Sequence, residues 1–138
     1  MLMRLKPLSL ALSGAALLTL AACGGGSDSE PEVITPAPTT NVPVKVIDGA
    51  IKNALVCLDK NANNACDADE TQGRTDASGS VTLAVPDADV GKYRVIAVVG
   101  TDAVDADSGP VTVAHTMAAP PDQTAAVSPL TTLRAHTP

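Results

Sequence analysis

Oxygen-bearing side chains recur at regular intervals between residues 59 and 70. If Asp59 is position one of a twelve-residue segment, acids or amides fall at positions one, three, five, nine and twelve, and position seven offers a backbone carbonyl. The residues at these six positions are Asp59, Asn61, Asn63, Ala65, Asp67 and Glu70. Ca²⁺ takes about six to eight oxygen ligands, and a bidentate Glu at the last position can complete the shell. The spacing therefore predicts a structural calcium site.

This spacing is that of the EF-hand loop, with one departure. Asn64 stands at position six, where the pattern has Gly. The sharp turn there needs a positive φ, and Asn is the best substitute for Gly in that conformation. The alternative interpretation is an Asx-rich surface turn, in which Asn and Asp side chains bond to their own backbone and no ion is held.

The segments around this loop have the period-two pattern of short strands. Turn signals at Asp48-Gly49 and at Asp76–Gly79 separate them. No window from residue 42 to 121 shows a convincing helical stripe. The predicted strands are Val44–Ile47, Ala54–Leu58, Ser80–Val85, Lys92–Val99 and Val111–Met117. We therefore expect an all-β fold, a small antiparallel β-sandwich, with the calcium loop on a β-scaffold.

The composition restricts the core of this sandwich to aliphatic side chains. The chain has no Trp, no Phe and a single Tyr, Tyr93. Val, Leu, Ile and Ala bury less area per residue than aromatic residues do. A domain of this size with such a core is expected to need a disulfide or a metal ion.

Two phrases resemble a known family. Residues 53–59 read NALVCLD and residues 75–83 read TDASGSVTL, with Asn61 and Asn63 between them. These phrases are similar to those of prealbumin-like modules of bacterial surface proteins, namely the carboxypeptidase regulatory-like domains and the B-type repeats of serine–aspartate adhesins. The resemblance covers residues 44–99. It departs at Asn53, where Gly is commoner, and at Val81, where an aromatic residue is commoner. It implies a β-sandwich with a structural or adhesive role.

The N-terminus has the pattern of a secretory signal. Arg4 and Lys6 precede an apolar run from Leu8 to Leu20, which is too short to span a bilayer comfortably and ends in small residues. The ending Leu-Ala-Ala-Cys23 resembles the lipobox of bacterial lipoproteins. That resemblance implies a diacylglycerol on the thiol of Cys23, cleavage before this residue, and attachment of the mature chain to a membrane. An ordinary signal peptide with a chance cysteine is the alternative.

The predicted organisation has four parts. Residues 1–22 are the signal peptide, and residues 23–41 are the lipidated Cys with a Gly/Ser-rich and then Pro-rich linker. The β-sandwich module occupies residues 42–121, and residues 122–138 form a tail. Lipoproteins kept in the inner membrane carry Asp after the lipidated Cys; Gly24 stands there instead, so the resemblance favours the outer membrane of a bacterial cell envelope.

With Cys23 assigned to the lipid, Cys57 and Cys66 remain and pair without remainder. An exported protein can be oxidised, and a bridge between them would close a loop of about ten residues, which stabilises by roughly 2.5–3 kcal/mol in the chain-entropy model. Cys66 is at position eight of the loop, which usually carries an inward-facing side chain. Two free thiols are the alternative, while a CxxC redox pair is excluded by the spacing.

Several function classes find no support in the residues. The net charge of −6 lacks the basic footprint of a nucleic-acid-binding protein. His115 and His136 are the only histidines and lie in no catalytic motif, and zinc-ligand spacing is absent. A second acidic segment, Thr101–Gly109, could supply oxygens to an ion but fits no template, so a solvated turn is preferred there. We therefore expect a protein that is not an enzyme.

The tail begins with a helix signal, Ser128 as N-cap and Pro129 at the first helical position. In similar, longer lipoproteins this phrase opens a further region, so the sequence suggests a truncated relative of such a protein.

We expect a non-catalytic, lipid-anchored envelope protein with a structural or adhesive role. The alternatives are a module binding a glycan or peptide, which the scarcity of aromatic residues disfavours, and an accessory domain of a truncated secreted hydrolase.

Overall fold

The computed structural model describes residues 33–137, so the predicted signal peptide and Cys23 lie outside the described residues. The described part forms ten strands, one 3-10 turn at Asp87–Asp89 and one helix. The strands are β1 (Thr39–Val46), β2 (Ile51–Lys52), β3 (Leu55–Asp59), β4 (Gln72–Arg74), β5 (Ser80–Pro86), β6 (Arg94–Val99), β7 (Val104–Asp105), β8 (Gly109–Pro110), β9 (His115–Ala119) and β10 (Ala126–Val127), and the helix is α1 (Pro129–Ala135).

Two main sheets make the fold. One has the order β4-β3-β6-β9, all antiparallel, and the other has the order β10-β1-β5. In the second sheet β1 and β5 are antiparallel over seven residue pairs, while β10 runs parallel to β1. A small third sheet joins β2, β7 and β8. The predicted all-β class with a small, largely antiparallel sandwich is confirmed.

The core lies between the two main sheets and is aliphatic, as the composition predicts. Alternate residues of each strand point inward, which is the period-two pattern that identifies the strands in the sequence. The inward-facing residues include Val44, Val46, Val56, Leu58, Leu83, Val85, Val95, Ala97, Val99, Met117, Ala119 and Val127. Tyr93 packs only at the edge of this cluster.

The four-stranded sheet is covered on its outer face as well. Cys57, Ile96 and Ala118 are buried there. They lie beneath Ala135 of α1 and beneath Cys66, which belongs to the acidic loop, the segment from Asp59 to Glu70. The loop and the helix therefore shield a second, smaller apolar layer. This explains why β3 and β6 carry apolar residues on both faces.

The compact unit extends beyond the predicted module, residues 42–121, in both directions along the chain. It begins at Thr35, before the predicted start at residue 42, because β1 pairs with β5 from Thr39 onward. It continues past residue 121, because β10 pairs with β1 and Val127 is fully buried. The predicted helix start is present, with the Ser128 side chain accepting from the N–H of Thr131. None of the helices in residues 33–137 is long and apolar enough to cross a membrane.

Candidate metal-binding loop

The acidic loop connects the neighbouring antiparallel strands β3 and β4. Asp59 is the last residue of β3, and Glu70 stands two residues before β4 begins. The N–H of Leu58 donates to the carbonyl of Thr71 at 3.0 Å and closes the base of the loop. Sheet pairing thus brings the two terminal acids of the predicted site to the same end of the sandwich.

Asp59 is buried, with 2% of its surface exposed, and its carboxylate is fully engaged. One oxygen accepts from the N–H of Asn63 at 3.1 Å, and the other accepts from the N–H of Asn64 at 3.1 Å. The second oxygen also accepts from Arg94, whose Nε lies 2.9 Å away and whose Nη2 forms the other arm of the contact. Asp59 therefore fixes the turn and is neutralised by an arginine.

Glu70 is also buried and closes the loop from its other end. Its Oε1 accepts from the N–H of Lys60 at 2.7 Å, and its Oε2 accepts from the N–H of Asp67 at 3.2 Å. Both carboxylate oxygens thus satisfy backbone donors of the loop.

The remaining side chains of the predicted set lie at the exposed tip. The amide groups of Asn61 and Asn63 donate to the same oxygen of Asp67, at 2.7 and 2.8 Å. Their own oxygens accept from backbone N–H groups two residues ahead, which makes two successive Asx turns. The carbonyl oxygen of Ala65 lies 3.9 Å from the sulfur of Cys57.

The backbone of the loop adopts the left-handed conformation at two residues. Asn64 has a φ of 61°, the conformation that its place at the glycine position of the pattern predicts. Ala62 has the same φ, and nothing in the sequence pattern predicts it. An alanine in this region is strained, whereas an asparagine tolerates it.

The chemistry of the predicted ligands suits Ca²⁺, but their oxygens are already engaged in hydrogen bonds. All six predicted ligands offer oxygen, as Ca²⁺ requires, and Asp59, Asn61, Asn63, Asp67 and Glu70 surround one turn. Their oxygens, however, already accept from N–H groups and from Arg94. Among residues 33–137, no three His, Cys, Asp or Glu side chains converge closely enough to hold a metal ion. Calcium remains a prediction, and its binding would exchange some of these hydrogen bonds for metal contacts.

The predicted disulfide is present. Cys57 and Cys66 are joined with an S–S distance of 2.11 Å and a Cα–Cα distance of 5.6 Å. Cys57 is fully buried on the outer face of β3. The bond therefore holds the acidic loop down on the sheet.

The sequence does not predict the part that Arg94 plays in this loop. Arg94 begins β6 and lies directly opposite Asp59 in the β3–β6 register, although 35 residues separate the two in the chain. Only the strand pairing reveals this contact. Beside it, Lys60 bonds to Asp89 at 2.6 Å, and this hydrogen bond raises the pKa of the Lys60 ammonium above its ordinary value.

The other polar groups singled out in the sequence form ordinary surface contacts. In the second acidic segment Asp105 accepts from the hydroxyl of Ser108 at 2.6 Å and from the N–H of Asp107 at 2.8 Å, and these bonds lower its pKa. His115 and His136 are exposed, and each ring contacts a nearby backbone carbonyl.

Comparison of the chain with protein-family models, with curated proteins and with solved structures gives no match. The residues and their geometry therefore carry the functional argument alone.

Proposed function

We propose that this chain is a non-catalytic, lipid-anchored module of the bacterial cell envelope, with a structural or adhesive role and with the outer membrane as its favoured location. The observation that carries the proposal is the Cys57–Cys66 disulfide in a chain whose third cysteine stands at a lipobox-like sequence. Structural disulfides persist in oxidising compartments outside the cytosol, which agrees with export.

The disulfide also answers a physical need of such a module. The core contains mainly aliphatic side chains and no buried aromatic residue, and the acidic loop covers the outer face of β3 with little apolar area of its own. Cross-linking a loop of about ten residues contributes roughly 2.5–3 kcal/mol, a large share of a small domain's stability. A stiff domain of this kind suits a role as a spacer or display module on a flexible linker.

Lipidation is tested by growing bacteria that express the full-length chain with radiolabelled palmitate. We expect label on the wild type and none on Cys23→Ala, because the proposal puts the acyl chains at this residue. The variant with both Cys57→Ala and Cys66→Ala is the matched control and should keep the label. An unlabelled wild type, or a labelled Cys23→Ala variant, would contradict lipid anchoring.

We also propose that the acidic loop takes a structural calcium ion through Asp59, Asn61, Asn63, the carbonyl of Ala65, Asp67 and Glu70. The ion would supply positive charge to three carboxylates on one turn. The support is the ligand spacing together with the left-handed turn at Asn64. Extracellular modules of this type bind calcium with dissociation constants of about 10⁻⁴–10⁻³ M.

Calorimetric titration and thermal unfolding test the calcium proposal on the full-length chain. Calcium at about ten times the dissociation constant should add about 1.4 kcal/mol to the unfolding free energy and raise Tm by several degrees. Asp67→Ala should reduce this increase, whereas Asp122→Ala, an exposed acid outside the loop, should not. Absence of both binding heat and a change in Tm with millimolar calcium would refute the site.

A further inference from the structure

A recess with a volume of about 430 Å³ opens beside the acidic loop. Its walls come from three parts of the chain: the loop after β3, the residues that lead into β6, and the last turn of α1 with the preceding Pro120 and Pro121. The disulfide and the strand pairing hold these parts in place. The recess is therefore a preformed feature of the fold.

Basic side chains are concentrated in this recess. The chain has nine Lys and Arg against fifteen Asp and Glu, yet four of the nine line this one surface: Lys60, Lys92, Arg94 and Arg134. Asp59 is the only acid in the lining, and it is buried against Arg94. Four basic side chains of an acidic protein thus share this surface depression, and three of them have an acidic partner.

The partners of these four groups show which charges are available to a ligand. Lys60 is held by Asp89 at 2.6 Å, and Arg94 is held by Asp59. Arg134 contacts Asp122 at 3.3 Å, in a pair whose side chains are more than half exposed. Lys92 has no ion-pair partner among residues 33–137. Lys92 is therefore free to bind an anion, and Arg134 can exchange its exposed pair with Asp122 for a carboxylate of a ligand.

The single aromatic residue of the protein lies in the same recess. Tyr93 is half-buried there, between Lys92 and Arg94 in the chain, and the ammonium of Lys60 is 5.9 Å from its ring centroid. An aromatic ring with a polar tip at a wet surface is a common contact for ligands that have both an apolar face and polar groups.

We propose that this recess binds an anionic saccharide, a sugar ring that carries a carboxylate. The carboxylate would accept from Lys92 and Arg134, and the C–H face of the sugar would lie on Tyr93. A simple anion would use the charges and leave the ring unused, whereas a neutral sugar would leave Lys92 without a partner. This binding activity goes beyond the structural role proposed above and does not depend on it.

The protein provides its own probe, because its tyrosine fluorescence comes from Tyr93 alone. The full-length chain in detergent is titrated with a galacturonic acid trisaccharide, with the neutral glucose trisaccharide maltotriose and with inorganic phosphate, and calorimetry is run in parallel. We expect the acidic trisaccharide to change the fluorescence with saturation and to bind more tightly than maltotriose or phosphate.

Two charge-matched double variants complete the test. Lys92→Ala with Arg134→Ala should weaken binding of the acidic trisaccharide by at least about tenfold, since it removes two charge-assisted contacts. Lys45→Ala with Lys52→Ala removes the same charge from exposed sites elsewhere and should leave the affinity unchanged. No binding up to about 10 mM, equal binding of maltotriose or phosphate, or equal weakening in both variants would overturn the proposal.

Discussion

Asp59 keeps a carboxylate almost entirely out of water because three groups compensate it. Its side chain is fully buried, the Arg94 side chain is 18% exposed, and two backbone N–H groups complete the contacts. Removing one partner of such a pair leaves an uncompensated buried charge, which costs much more than the pair itself contributes. The arginine is therefore as important to the loop as the ligand-type residues are.

Arg94→Met tests this pair. The variant keeps the length and the apolar part of the side chain, and we expect it to lower the unfolding free energy by about 3 kcal/mol in urea denaturation. Arg74→Met, which breaks an exposed pair with Asp102, should cost less than about 1 kcal/mol. Adding Asp59→Asn to Arg94→Met should restore part of the loss. Equal effects of the two single arginine variants would show that Asp59 does not depend on Arg94.

Ala62 stores strain that a single substitution can release. Its φ of 61° suits glycine, so Ala62→Gly should raise the unfolding free energy by about 0.5–1 kcal/mol despite the greater entropy of the unfolded chain. Ala65→Gly, at an exposed residue of the same loop outside the left-handed region, should lower it. Destabilisation by both substitutions would contradict the assigned conformation of Ala62.

Asp76 makes one turn of the fold sensitive to acid. Its carboxylate accepts from the hydroxyl of Ser78 at 2.6 Å and from the N–H groups of Ser78 and Ser80, and these bonds lower its pKa below the ordinary value of an aspartate. A carboxyl group whose pKa is lower in the folded state stabilises the protein at pH values above its unfolded-state pKa. This contribution is lost as the pH falls through the folded-state pKa. Carboxyl NMR titration should therefore give Asp76 a lower midpoint in the folded protein than in the urea-unfolded chain, and Ser78→Ala should move the folded midpoint upward. A folded midpoint at or above the unfolded one would contradict this.

Helix α1 protects an open sheet edge. β9 is the outermost strand of its sheet, and unpaired edges invite association with other chains. Thr132 accepts from the N–H of Ala118 at 2.9 Å, and Thr131 donates to the carbonyl of Ala118 at 2.8 Å. Two hydroxyls thus take the place of a neighbouring strand.

Thr132→Val removes one of these hydroxyls and preserves the shape of the side chain. The N–H of Ala118 then loses its acceptor, so we expect a loss of about 1–3 kcal/mol in urea denaturation. Thr116→Val, at an exposed position of β9, should stay within about 0.5 kcal/mol of the wild type. If the two valine variants are equally stable, α1 does not seal this edge.

The sequence predicts the long elements better than the short ones. β3, β5 and β6 each have at least five residues and lie almost wholly within the predicted strands. β1 begins five residues before the predicted Val44, and the last of the five predicted strands, Val111–Met117, is wrong in its first half because β9 is His115–Ala119. β2, β7, β8 and β10 have two residues each and owe their conformation to the strands that they meet. The predicted end of the module at residue 121 misses β10 and α1 because Val127 is buried by its parallel pairing with β1 and by packing in the core, which no local pattern contains.

The candidate site likewise has features that local sequence spacing predicts and features that it does not. The disulfide and the positive φ of Asn64 follow from local spacing, and both are found in the structure. The Asp59–Arg94 pair and the basic recess depend on strand register and on the position of α1, which no local pattern contains. The scarcity of aromatic residues argues against a sugar site in the sequence, yet the fold places the single tyrosine among four basic side chains.

We propose that the molecule as a whole is a thin aliphatic sandwich stiffened by one disulfide and held at a membrane by a lipid. These features belong together, because only an exported chain would keep Cys57 and Cys66 oxidised while Cys23 carries acyl chains. The disulfide is seen in the structure, and the lipid is inferred from the sequence. The proposed function therefore depends most on the chemical state of the three cysteines.

Intact mass spectrometry of the full-length gene product, purified from bacterial membranes and alkylated with and without prior reduction, measures that state directly. We expect a chain that begins at Cys23, carries acyl mass on this residue, and takes up two alkyl groups only after reduction. A chain without acyl mass, or one that is alkylated at Cys57 and Cys66 without reductant, would contradict it.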